Sequence, residues 1–258
     1  PNAIAGLPHS VYMPAGVDYC IRGVTSVQVA LPSAPSDLEI EPYVIGPNLV
    51  TTGVWGAANF RRYFRQILTQ SGQPQLPARR LIVGETVTPS GNWSTFPPHR
   101  HETDDLPREA YHEEMYYFKV SPADGFGICR YYNDDPLEVN YTVRDNSLLM
   151  APKGYHTVVS APGYTTYYLW FLAGEHRVQA TVDDPALGWV SKTVSMLTEL
   201  GHEISAVRID SLVDNVFFAT LVIDGSSEIS ARPSDAIAIA LRASAPVFAT
   251  AAVLDQAG

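Results

Sequence analysis

FPPHRHETDDLPREAYHEEMYYF, residues Phe96 to Phe118, decides how the rest of the chain is read. His99 and His101 stand two apart, and in an extended segment the period of two sends both imidazoles to one face. That is a metal-binding spacing. Glu113 and Glu114 open a second aromatic run, Met115 to Phe118, so a carboxylate at the head of a neighbouring strand can supply a third ligand. Gly154-Tyr155-His156, well downstream, offers a further imidazole. Neutral imidazoles with a carboxylate suit zinc, manganese, iron or nickel, and a three-histidine, one-carboxylate set leaves positions open for water or substrate.

Outward from that stretch the pattern is one of short strands. Leu81 to Val87, Glu114 to Val120, Gly125 to Tyr132, Ser147 to Met150, His156 to Ser160 and Thr165 to Leu172 are apolar or alternating runs. Turn signals separate them at Pro89-Ser90-Gly91, Pro122-Ala123-Asp124-Gly125, Asp134-Asp135-Pro136, Pro152-Lys153-Gly154 and Pro162-Gly163. Strands at this spacing predict a sandwich or small barrel. Nearer the start, Ser10 to Met13 and Cys20 to Leu31 read as two further strands, too few for a barrel of their own, and predict the tail of an N-terminal domain whose earlier strands are absent. Between these regions, Phe60, Tyr63, Phe64, Ile67 and Leu68 have helical spacing with Asn59 as the cap, although the aromatic content leaves a strand open. The arginines beside them, Arg61, Arg62 and Arg65, can hold an anion or simply be solvated.

The 258 residues suffice for one large domain or two modest ones. Twenty prolines and fourteen tyrosines favour a mainly β chain. A net charge of −10 works against nonspecific binding to nucleic acid or an anionic membrane, so an anionic substrate needs a local basic pocket. Cys20 and Cys129 are too few for a disulfide framework and fit a reducing cytosol. With no signal-peptide pattern and no apolar stretch of spanning length, the expectation is a soluble cytoplasmic protein; a start at Pro1 suggests a fragment or a processed form. After Arg177 the character changes. Residues 192–200 suit a helix stopped by Gly201, Ile204 to Ile209 and Val216 to Ile223 suit paired strands, and Ser234-Asp235 is expected to cap a short helix over Ala236 to Leu241. The division expected is residues 1–75, 76–190 and 191–258, the last a small α+β segment.

The stretch Leu81 to Arg177, with VGETVTPSGNWSTFPPHRHETD, EEMYYF, APKGYH and PGYTTYYLWFLAG, resembles 5-deoxy-glucuronate isomerase of bacterial inositol catabolism. The resemblance extends to about residues 1–190, with 8–80 similar to the later part of that bicupin family's N-terminal half, which reads here as truncated. It implies a cupin jelly roll, a divalent metal ion (zinc or manganese), and an aldose–ketose isomerisation of the small-molecule uronate 5-deoxyglucuronate to 2-deoxy-5-keto-gluconate. It also implies His99, His101 and His156 as metal ligands. For the fourth, Glu114 precedes the apolar-aromatic pair Met115-Tyr116 as a cupin ligand does; Glu113 is the alternative ligand or the general base. A bidentate arginine is the natural partner of a uronate carboxylate, and Arg130 is the first candidate, ahead of Lys153. Tyr116, Tyr155 and Tyr168 are candidate donors to sugar hydroxyls. Cys129 and Thr157 depart from the glutamine and proline common in the family.

Residues 192–258 are similar to the C-terminal part of the bifunctional nuclease domain, through Leu200-Gly201-His202, Phe217-Phe218-Ala219 and SARPSDAIAIALRASAPVFA. That resemblance makes Asp235 a candidate metal group and Arg232 a candidate phosphate contact. From Lys192 onward there are eight acids and four bases, so nucleic acid is not the expected partner. A homo-oligomer is expected to cover the sheet edges that missing strands leave unpaired.

Overall fold

Alternating burial along two aromatic strands sets the architecture. In EEMYYFKVS, residues 113–121, Glu114, Tyr116, Phe118 and Val120 are buried while their neighbours are more open. TTYYLWFLA, residues 165–173, is buried along most of its length because both of its faces are covered. The computed structural model describes residues 3–56, 58–133, 137–214 and 216–257. The turn expected at Asp134-Asp135-Pro136 lies outside them. The chain divides into two units, Pro1–Trp55 with Arg61–Val182, and Gly56–Phe60 with Asp183–Gly258.

The first unit runs β1 (Ser10–Tyr12), β2 (Tyr43–Ile45), β3 (Thr51–Trp55), β4 (Arg62–Leu68), β5 (Leu81–Thr88), β6 (His99–Arg100), β7 (Glu113–Ser121), β8 (Gly127–Tyr132), β9 (Glu138–Val143), β10 (Leu148–Ala151), β11 (Tyr155–Ser160) and β12 (Thr165–Ala173), with β13 (Val182–Asp183) at its end. One sheet has the order β10-β7-β12-β5-β4-β3 and the other β13-β6-β11-β8-β9, while β1 pairs with β2 apart from both. Ile82, Tyr116, Phe118, Tyr168, Trp170 and Leu172 from the first sheet meet Cys129, Val143 and Val158 from the second in one core. Two facing, mainly antiparallel sheets over a shared core form a cupin jelly roll, and the two remain separate sheets rather than one closed barrel. Gly84 makes this packing possible, since a Cβ there would fall within the Trp170 indole. Trp170 Nε1 donates to Thr86 Oγ1 at 3.0 Å, and truncating so large a buried ring costs about 3–5 kcal/mol.

The opposite face of the six-stranded sheet carries a second core, in which Tyr12 and Ile45 from the β1–β2 pair cover Ile67, Val83, Val87, Tyr167 and Leu169. All six strands expected after Leu81 are present. Other expectations are corrected. Cys20 to Leu31 forms no strand, and its apolar side chains, Val24 at 95% exposure among them, face solvent; β2 takes the place opposite β1. The helix suggested by the spacing of Phe60 to Leu68 is the strand β4, because Arg62 to Leu68 finds ladder partners on both sides in β3 and β5, and Asn59 lies inside a short 3-10 turn rather than capping a helix. Glu138–Val143, polar and passed over in the sequence, is a strand because β8 offers it an edge.

In the second unit α1 (Trp189–Glu199), β14 (Ile204–Val213), β15 (Val216–Ile223), β16 (Ser227–Ala231), α2 (Pro233–Ala243), β17 (Val247–Ala249) and α3 (Ala251–Ala257) follow in order. The sheet runs β16-β15-β14-β17, with β17 parallel to β14. Val207, Ala219, Leu221 and Ile223 pack against Ala236, Ile239 and Ala240 of α2. The expected Ser234-Asp235 cap is also corrected. Arg232 is the N-cap and Pro233 the first helical residue, whose fixed φ suits that place, so both Ser234 and Asp235 lie within the first turn.

Candidate metal centre

The ladder between β6 and β11 sets His99 directly opposite His156, so their side chains leave the sheet on the same face. His101, two residues on, joins them, with ring centroids 5.9 Å from His99 and 5.2 Å from His156. Glu114 reaches across from β7, its Oε2 lying 2.9 Å from His101 Nε2 and 3.2 Å from His156 Nε2. One donor atom from each of His99, His101, Glu114 and His156 fits within 4.8 Å of all the others. His101, Glu114 and His156 are 3%, 6% and 1% exposed, so this is an interior polar cluster with little water to solvate it.

Local structure fixes how the imidazoles present themselves. His101 Nδ1 lies 2.9 Å from the His112 carbonyl and His156 Nδ1 lies 3.2 Å from the Gly154 carbonyl. Each carbonyl can only accept, so each Nδ1 carries the proton and each Nε2 turns toward the centre. Gly154 sits at φ +83°, where a Cβ would also strike the Tyr132 carbonyl, and its N–H donates to Glu102 Oε2 at 2.7 Å. The glycine of Pro-Lys-Gly-Tyr-His is thus needed to aim His156. His112 is itself anchored, Nε2 donating to the His176 carbonyl at 2.6 Å.

Electrostatics explain what the centre can hold. Burial would raise the Glu114 pKa, but His101 and His156 outweigh it and hold the carboxyl well below its ordinary range. Burial lowers His101 in turn, and Glu114 more than reverses this. His99 is driven well below the ordinary value by burial and by the neighbouring His156 and His101. Among the described residues, His156 Nε2 is buried without a hydrogen bond. Imidazole nitrogens converging on a carboxylate need positive charge among them, whether a proton or a metal cation, and three nitrogens with one oxygen are the donor set for a zinc- or manganese-like ion. The residues fit a metal.

The remaining sequence candidates divide by face. Glu113 is exposed, since strand alternation turns it away from Glu114. Arg130 lies on the outer side of its sheet: Cys129 beside it points into the core, while Arg130 Nε donates to Glu138 at 2.8 Å and its guanidinium stacks on Tyr132 at 4.0 Å. Lys153 is exposed in the turn before β11. Tyr155 turns opposite to His156, beneath the Arg100 guanidinium. Tyr168 is interior and 1% exposed, but it is bonded to Ser94 Oγ and stacked edge-on to Tyr116. Tyr116 lies next to the cluster, its ring centroid 5.8 Å from that of His156. Cys129 is fully buried, and burial pushes its thiol up to about 12. In the second unit Arg232 pairs with Asp235 at 2.9 Å. Among the described residues, the metal-capable group is the one in the first unit.

One residue escaped the sequence reading, and another was read only as part of an arginine cluster. His112 was one histidine among several, and only the backbone path brings its carbonyl to His101. Arg62 stood in a segment with helical spacing. As the first residue of β4 it shares a face with Phe64, which stacks on Trp55 at 4.1 Å, and its guanidinium lies 5.3 Å from the Trp55 ring.

Residues 3–190 match the KduI/IolB family. The chain belongs to that family. Residues 193–258 match the bifunctional nuclease domain. Within the family, the chain is 40% identical over 187 residues to the 5-deoxy-glucuronate isomerase of Geobacillus kaustophilus (strain HTA426), covering 72% of this chain and 66% of that protein. It is 36% identical over 182 residues to the 5-deoxy-glucuronate isomerase of Bacillus subtilis (strain 168), covering 70% and 66%. It therefore spans about two thirds of the length of these relatives. Among solved structures it resembles an IolB-like protein from Salmonella typhimurium LT2, at 33% identity and a TM-score of 0.57, over 61% of this chain and 59% of that one. No helix of the described residues is long and apolar enough to cross a membrane.

Proposed function

We propose that this chain is a metal-dependent aldose–ketose isomerase that converts 5-deoxyglucuronate to 2-deoxy-5-keto-gluconate in cytoplasmic inositol catabolism. The observation that carries the reading is the convergence of His99, His101, Glu114 and His156 inside the jelly roll of a chain whose relatives are 5-deoxy-glucuronate isomerases. These four side chains would hold the ion. A divalent ion there supplies Lewis-acid polarisation of the sugar carbonyl and the neighbouring hydroxyl, the requirement for moving a proton between adjacent carbons.

The rest is the work of the chain's own residues. The His112 and Gly154 carbonyls keep the imidazoles in the tautomer that faces the centre. Tyr116 has its pKa raised well above 10 by burial and by Glu114, so it stays protonated and is not the base. The exposed face of β7 that carries Glu113 does not favour it as the proton carrier. Burial of the cluster strengthens each of these interactions by excluding water.

The test is to purify the chain, measure bound metal, and incubate it with 5-deoxyglucuronate, with and without chelator, and in parallel with DNA and RNA. Turnover of the sugar that chelation abolishes and added zinc or manganese restores supports the reading, with no cleavage of nucleic acid expected. A metal-loaded protein that leaves the sugar unchanged would sink it.

A further inference from the structure

A uronate has two ends that a divalent cation can take: the carbonyl with its neighbouring hydroxyl, which must react, and the carboxylate, which is the stronger ligand. A site with metal alone would favour binding the substrate backwards. A fixed positive group on the same interior face, apart from the ion, removes that ambiguity by claiming the carboxylate.

Most cations of the first unit are turned elsewhere. Arg130 is on the outer face with Glu138. Arg100, between the two ligand histidines but pointing the opposite way, lies between Glu102 at 3.2 Å and Glu109 at 3.8 Å. Lys119 meets Asp145 and Asn146. Arg65 is paired with Glu85 on the far side of the six-stranded sheet. Arg62 alone of these β4 and β6 arginines belongs to the inner face. Its guanidinium lies over Trp55, which packs against the inner core, and its Nε is buried. Its charge acts on both His99 of the cluster and Tyr168 of β12. A planar guanidinium on this inner face matches a carboxylate bidentately, which an ammonium group cannot do.

We infer that Arg62 is the specificity-determining residue that binds the substrate carboxylate, so that the carbonyl end of the sugar meets the histidine cluster. The inference rests on the uronate reading of that site, and it adds what selects a uronate over a neutral sugar and which way round it lies.

The test uses the full metal-loaded chain and the ratio of two affinities within each variant. Calorimetric titration with D-glucuronate and with D-glucose should show the wild type favouring the uronate by about tenfold or more, the scale of one charge-assisted bidentate contact. In Arg62→Gln that ratio should collapse toward unity, and in Arg62→Lys it should be intermediate, with metal content and melting temperature unchanged in both. A loss of folding alone would not move the ratio. If Arg62→Gln still prefers the uronate as the wild type does, or if the wild type shows no preference, the assignment is overturned. Turnover of 5-deoxyglucuronate is scored separately. A wild type that prefers the uronate through Arg62 but never isomerises it overturns the isomerase reading and leaves Arg62 as a carboxylate receptor.

Discussion

The six-stranded sheet buries a glutamate on each face, Glu114 inside and Glu85 outside, both at 6% exposure. Their surroundings have opposite meanings. Glu85 accepts from Arg65 at 3.0 Å and from the Tyr167 hydroxyl at 2.8 Å, while Arg65 also donates to the carbonyls of Ala3 and Ile4. That is a closed account of donors and acceptors, so the outer pair fastens the N-terminal segment to the sheet. Glu114 instead faces the Nε2 atoms of imidazoles whose Nδ1 protons are committed to carbonyls behind them. Equal burial therefore separates structure from function only when the partners are counted: an arginine cannot give up its charge, whereas histidines can, and a carboxylate ringed by histidines invites an outside cation.

The sharpest way to break this contrast is to remove ligands. His99→Ala with His156→Ala should take bound divalent metal from about one per chain to near none by elemental analysis, while Glu85→Gln leaves it intact. If the double variant keeps its metal, the inner cluster is no centre. Next in size is stability. Glu85→Ala strands the Arg65 guanidinium and should cost about 3 kcal/mol in urea unfolding. Glu114→Ala, measured on metal-free protein, should cost less than half as much, because its histidine neighbours can shed a proton.

The two carboxylates should also respond to pH with opposite signs. Burial raises Glu85 above its ordinary 4.5, and Tyr167 and Arg65 only partly offset this. A raised acid contributes its stability below its unfolded value and loses it as pH climbs through the folded one. The melting-temperature advantage of wild type over Glu85→Gln should therefore shrink as pH rises above the ordinary 4.5. Glu114, held low, contributes above 4.5 and loses that contribution as pH falls, so the corresponding difference for metal-free Glu114→Gln should shrink on acidification. Parallel slopes would show that the two sites are alike after all. The smallest effect is expected for Arg130→Ala, less than about 0.5 kcal/mol and no change in isomerisation rate, because its pair with Glu138 is largely solvated on the outer face.

Much of this is legible in the sequence. Proline and glycine punctuation marked the strands from Leu81 onward, and the spacing of two between His99 and His101 placed them on one face once the segment was known to be extended. Parity along β7 then separates Glu113 from Glu114. What the chain could not disclose was parity between strands. Arg130 is as good an arginine as Arg62 in composition, and only the ladder that sets Cys129 opposite Val158 turns the one outward. Likewise the β-branched alternation of Thr25, Val27 and Val29 promises a strand, yet no edge is offered to it, whereas Glu138–Val143 is recruited by β8. Strand formation here is decided by an available neighbour more than by intrinsic preference.

Strand β6 is two residues long and meets β11 through the His99–His156 pair, with Trp93 opposite Val159 and Asp105 opposite Glu109 as the isolated bridges of the connection between β5 and β7. So long an irregular connection gains little from its own ladder. A cation gripped by His99, His101, Glu114 and His156 would be a rivet through three separate lengths of polypeptide, subtracting loop entropy much as a crosslink does. Metal supply would then govern how tightly this wall of the jelly roll is shut, and with it how readily a protease finds its way in.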